Sequence, residues 1–243
     1  MPNSDKLINE RFLTTQWSMV AQAGKQTDNR SVKALQELCQ NYWLPLYAYA
    51  RRRMDPEKAE DMTQGFFAVL LEKNFLETAK QGKGRFRAFL ITAFKHFLLN
   101  QHDYEQAIKR GGQTKLLSLD FDSANSQISF QPVDNLTPEK VFERQWVLTL
   151  LKNVMERLRI HYAGKGGDHL TRFETLTPQI CGEPTADYLT LSKQLGVSPE
   201  ALRVEVHRIR KKYRQTLREE IASTVSGPDE VDDEIQRLFD VMA

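Results

Sequence analysis

The chemistry most plainly written into this chain is recognition of a polyanion. Between Pro199 and Arg218, Arg203, His207, Arg208, Lys211 and Arg214 gather on one side of a helical pattern, with Glu200 and Val204 among them. The stretch holds seven Lys/Arg against two Glu, a net of +5. Arginine forks match the acceptors on a guanine edge and lysines neutralise phosphate, so residues of this kind bind without making or breaking a bond. A second set, Arg85, Arg87, Lys95, His96, Asn100 and Gln101, is interleaved with phenylalanines. From Lys83 to Arg110 there are six basic and two acidic residues, a net of +4. Aromatics alternating with such donors suit unpaired bases lying along a basic track, although most of these rings are expected in the core.

Bond-making chemistry finds no comparable set. The five histidines, His96, His102, His161, His169 and His207, show no HExxH or other ligand spacing. The glycine stretches at 82–84 and 164–167 lack the GK[ST] ending of a P-loop. Glu57, Glu60 and Asp61 read as solvated charge on a helix surface. The expectation is a protein that is not an enzyme, with no cofactor and no metal. Cys39 and Cys181 stand alone in sequence, which fits a reducing compartment. The start, MPNSDKLINERF, has no apolar signal core, and no run approaches the ~18 apolar residues of a membrane span. A cytoplasmic protein without membrane insertion is expected.

The elements that must carry these residues are helices. In Asp187–Leu217, a first helix from about Leu189 to Leu195 meets Gly196, placed where a left-handed cap is needed. Ser198, Pro199 and Glu200 then supply an N-cap, an N1 proline and an acid in the first turn. At ~100° per residue, Leu202, Val206, Ile209, Tyr213 and Leu217 share one narrow arc, leaving the cations opposite. That is the pattern of a helix-turn-helix with a major-groove recognition helix.

Upstream, helical periodicity runs through 14–23, 30–54, 56–73 and 85–105, and again from Thr137 to about Arg159 and around 170–176. No alternating strand pattern of useful length occurs. Residues 110–136, with Gly111-Gly112 and a polar Ser/Asp/Asn/Gln stretch, read as a flexible linker. The expected fold is therefore all-α: two small helical domains, 1–109 and 137–222, joined by that linker, the second holding the helix-turn-helix.

The formal charge of +2 hides a split: 219–243 has eight acids and one base, net −7, so the first 218 residues carry +9. The acidic extension, 223–243, ends in an amphipathic pattern of Val231, Ile235, Leu238 and Phe239. Three roles stay open for it: capping the second domain, binding a regulator, or screening the basic face.

Four blocks in order resemble the extracytoplasmic-function (ECF) sigma factors of bacterial RNA polymerase, of the sigma-70 family. AEDMTQGFFAVLLEK at 59–73 is similar to the family's core-binding helix, GRFRAFLITAFKHFLLNQ at 84–101 to the stretch that reads and opens the −10 element, and SKQLGVSPEALRVEVHRIRKKYR at 192–214 to the −35 reader; TPEKVFERQWVLTLL at 137–151 joins them. The resemblance implies a sigma factor that binds core polymerase and directs promoter-specific initiation. It implies that Asp61, Gln64, Phe67 and Leu70 face the polymerase clamp coiled coil, with the flap as a further contact. It also implies that Arg85, Arg87, Lys95, His96, Asn100 and Gln101 serve the −10 strand, capturing a flipped base. Glu200, Arg203, Val204, His207, Arg208, Lys211 and Arg214 would serve the −35 duplex. Promoter DNA and an anti-sigma factor or other protein regulator join the expected partners. Gly65 stands where an acid is common in that family, and Phe89 where tryptophan is. The alternative is a helix-turn-helix regulator that binds duplex DNA without polymerase.

Overall fold

Eight helices and no strand make up the described residues of the computed structural model, which are 29–72, 85–108, 136–182, 186–225 and 227–242. They are α1 (Asn29–Arg51), α2 (Pro56–Glu72), α3 (Phe86–Ile108), α4 (Pro138–Ala163), α5 (His169–Cys181), α6 (Tyr188–Leu195), α7 (Pro199–Ala222) and α8 (Glu230–Met242). The all-α expectation is met. The helix expected at 14–23 and nearly all of 110–136 lie outside the described residues.

Short polar side chains start several of these helices by satisfying donors that the first turn leaves without partners. The Lys58 N–H donates to Asp55 Oδ1 (2.9 Å) at α2, and the Lys140 N–H to Thr137 Oγ1 (3.3 Å) at α4. At α6 the Thr190 N–H donates to Asp187 Oδ1 (2.7 Å), and at α7 the Ala201 N–H donates to Ser198 Oγ (3.2 Å). Between α6 and α7, Gly196 adopts φ 64°, the left-handed conformation that ends α6 at low steric cost. Ser192 Oγ donates to the Val197 carbonyl (2.6 Å), pinning that turn.

The chain divides into two compact units: the residues up to Thr149 together with those from Ile221 onward, and Leu150–Glu220. The division falls within α4 and close to the end of α7, rather than in 110–136, and the acidic extension belongs to the first unit. The first half of α4 explains the position of the boundary, because Val141, Phe142, Trp146 and Val147 are buried there. Thr137 and Pro138 set where a helix starts, not which unit its first turns join.

The first unit's core is rich in rings. Tyr42, Tyr49, Phe66, Phe67, Phe86, Leu90 and Phe94 are all buried. Phe66 meets Phe94 edge-on at 5.0 Å and Phe97 at 5.6 Å, while Tyr42 meets Phe86 at 5.3 Å. Such pairs add ~0.5–1.5 kcal/mol each beyond area burial. A Cβ at Gly65 would lie 3.4 Å from Phe97 Cζ, an ordinary van der Waals contact, so the ring packs beside the α2 backbone without requiring the glycine. The second unit closes over Leu158, Tyr162, Phe173, Leu176, Leu191, Leu202, Val206 and Ile209. Tyr162 and Phe173 stack there at 4.9 Å.

Candidate nucleic-acid interface

The rotation of α7 decides what it can do. Leu202, Val206 and Ile209 are buried, and Tyr213 and Leu217 are half-buried. Opposite them Glu200, Arg203, Val204, His207, Arg208, Lys211 and Arg214 are all exposed. Val204 is half exposed, which suits apolar contact with a thymine methyl. Arg203 lies 3.6 Å from Glu200 one turn earlier, with its guanidinium over the Tyr188 ring at 5.4 Å. Both partners are solvent-facing, so the pair costs little to exchange for a base edge.

Beside this face runs a shallow groove lined by Tyr162, Lys165, His169, Arg172, Val204 and Arg208. Arg172 pairs with Glu205 at 3.5 Å, which gives that acid a partner on α5. Lys165 lies over the Tyr162 ring at 4.7 Å, next to Gly166 and Gly167, both at positive φ. Lys165, His169 and Arg172 thus line the same groove as Val204 and Arg208, although they lie more than 25 residues before α7 in sequence. The basic count of α7 alone could not reveal them; the glycine turn at 164–167 was the available signal.

The α3 set is arranged differently. Lys95 is half-buried and pairs with Glu139 Oε1 at 2.6 Å; His96 and Asn100 are exposed, and Gln101 is half-buried. Arg87 is 4% exposed, against the surface position expected for it. Its Nε donates to Glu143 Oε2 (2.9 Å), its guanidinium lies over the Trp146 ring at 4.5 Å, and its Nη1 pairs with Glu234. Burial lowers its pKa, with Glu143 opposing. Arg85 Nε also reaches Glu234, at 2.6 Å. Glu234 itself is fully buried.

On α2, Asp61 is exposed and Gln64, half-buried, donates to Glu60 (3.3 Å). Phe67 and Leu70 are 1% and 2% exposed, so they brace the helix from within rather than presenting a contact face.

A family model described as ECF sigma factor matches residues 17–174. The chain belongs to the ECF sigma factor family. As an ECF sigma factor it binds RNA polymerase and directs promoter-specific transcription initiation, and the family is one of non-enzymatic initiation factors. The match takes in α1–α4 and the first turns of α5, and stops before the Gly196 turn. Beyond it, α6 and α7 are characterised by their own geometry, the Gly196 turn and the exposed basic face. No curated protein and no solved structure gives a match.

Among the described residues no group of three His, Cys, Asp or Glu side chains is placed to hold a metal ion, and no helix is long and apolar enough to cross a membrane. Both cysteines are free: Cys39 is buried, with its thiol pushed up to about 11 by burial, and Cys181 is exposed. Cys39 therefore packs as a small hydrophobe.

Proposed function

We propose that this ECF sigma factor reads its promoter at two points, with α7 in the major groove of the −35 element and α3 on the −10 strand. The observation that carries the proposal is the α7 face, a continuous exposed set of cations opposite a buried stripe. Arg203, Val204 and His207 are placed for base edges. Arg208, Lys211 and Arg214, with Lys165, His169 and Arg172 beside them, are placed for phosphates, which give affinity without sequence preference. Glu200 stands one turn before Arg203 on the same exposed face. On α3, His96, Asn100 and Gln101 lie open to a strand, while Lys95, Arg85 and Arg87 must first exchange their carboxylates.

Asp61 and Gln64 supply the polar contacts of α2 with the polymerase clamp coiled coil, over the support of Phe67 and Leu70. The second unit adds a contact with the flap. The protein works in the cytoplasm with no cofactor and no catalytic residue, and an anti-sigma factor or similar regulator would find its target on the same surfaces. Family membership disfavours the stand-alone regulator, which would bind duplex DNA without polymerase. The decisive test is reconstitution of the full chain with bacterial core polymerase and measurement of promoter-dependent transcripts. Initiation that requires the chain is expected. Absence of core binding would sink the reading.

A further inference from the structure

We propose that α8 is a built-in competitor for the −10 strand, holding the arginines of α3 until that strand or polymerase displaces it. This rests on the assignment of Arg85 and Arg87 to the −10 strand. The acidic extension packs with the first unit, where Glu234, at 0% exposure, sits against Arg85 Nε (2.6 Å) and Arg87 Nη1. Val231 and Leu238, one turn to either side on the same face, are buried, as are Ile221 and Val225 in the approach to α8. Those apolar contacts seat the helix; the carboxylate decides what it covers.

Two features mark the contact as one that can be exchanged. Arg85 keeps 27% of its side chain in solvent while it holds Glu234, so an incoming anion can reach that guanidinium before α8 leaves. A phosphate offers the same two guanidinium groups equal charge and more acceptor oxygens. The two occupants exclude each other, because Arg85 and Arg87 cannot enclose a buried carboxylate and reach a DNA strand together. The rest of α8 adds to the exclusion. Glu230, Asp232, Asp233 and Asp240 are exposed on it against a single Arg237, so the helix presents a negative surface where a strand would approach. Glu143 and Trp146 keep hold of Arg87 from α4, so displacement of α8 leaves that side chain ordered rather than loose.

The experiment uses the full chain and a fluorescein-labelled single-stranded oligonucleotide of mixed dA and dT, with binding followed by anisotropy. Glu234→Gln keeps the shape and removes the charge. Asp233→Asn removes one charge from the exposed side of the same helix. Glu234→Gln is expected to tighten binding by about fivefold or more and Asp233→Asn by less than about twofold, and Arg85→Ala in the Glu234→Gln background is expected to remove the gain. A gain from Glu234→Gln no larger than that from Asp233→Asn, or no binding by Glu234→Gln, overturns the proposal. Hydrogen exchange on the unaltered chain avoids any folding defect of the variants. Amides of 230–242 should lose protection when the oligonucleotide is added, and unchanged protection counts against displacement. Arg85→Ala assembled with core polymerase separates the two levels. If it impairs promoter opening while Glu234→Gln gives no gain in the free chain, the competitor fails and the −10 assignment stands. If Arg85→Ala is silent in both settings, both fall.

Discussion

On α7, Arg208, Lys211 and Arg214 stand in solvent, and among the described residues none of them pairs with a carboxylate. On α3, Arg85, Arg87 and Lys95 are each matched to an acid from a later part of the chain, Glu234 or Glu139, and Arg87 to Glu143 as well. Both sets were grouped by the same sequence signal, a local excess of positive charge. The difference teaches that local charge identifies a polyanion-binding segment without revealing whether it is ready to bind. On the proposed reading, the α7 face can meet a duplex as it stands, whereas the α3 face must change partners first, which suits a task that should begin only after the rest of the complex is assembled.

The largest effect expected from this contrast is on stability. Arg87→Ala leaves the buried Glu234 with Arg85 alone and takes the arginine from Glu143, and should cost ~3 kcal/mol in urea unfolding of the full chain. Arg208→Ala, on the exposed face, should stay within about 0.5 kcal/mol. Equal losses would break the distinction between paired and open cations. Next in size is recognition. Arg203→Ala should lose roughly 1–3 kcal/mol of discrimination at one base position. Lys211→Ala should instead weaken all duplexes alike and reduce the salt slope of binding by about 1. Reversal of those two outcomes would mean that α7 is rotated differently on DNA.

Smaller again is the cap that orients α7. Ser198→Ala removes the acceptor for the Ala201 N–H and should cost ~1 kcal/mol in the second unit, read by thermal unfolding. The smallest effect belongs to Lys95 and Glu139, a solvent-accessible pair of ~0.2–1 kcal/mol. The hydrogen bond from Lys95 holds the Glu139 pKa below its ordinary 4.5. A carboxylate depressed in the folded state contributes its full stability above the unfolded value and loses it as pH falls through the folded one. Melting curves across that acid range should show a step that Lys95→Met flattens.

The second unit was the more legible of the two. Its helices follow from caps and from a 3.6-residue period that placed Leu202, Val206 and Ile209 inside and the cations outside. The α3 phenylalanines were likewise assigned to the core by spacing. What spacing could not show was the pairing of residues far apart in sequence. Arg87 sits where a surface cation is expected, and only Glu143, Trp146 and Glu234, brought in from 56 residues away and more, make its burial affordable. On α8 the periodicity predicts Val231, Ile235, Leu238 and Phe239 on the inner face. Phe239 is exposed, and Glu234 takes the inner position between Val231 and Leu238. A glutamate at that place reads as polar surface unless its two cations are known. The expected linker gave no warning that the first half of α4 would join the first unit.

Arg210 shows a different use of positive charge. It lies among the cations of α7, yet its Nη2 donates to the Gln179 carbonyl at the end of α5 (2.6 Å), and Gln179 in turn donates to the Ala186 carbonyl (2.5 Å). The recognition helix is thereby keyed to its scaffold, as a shaft is keyed to a hub. With side chains reaching ~5–6 Å from the helix axis, a turn of about 20° would sweep their tips by roughly 2 Å, enough to miss a bidentate match to a base. On the proposed reading, one cation withheld from DNA sets the angular tolerance within which the others can read it.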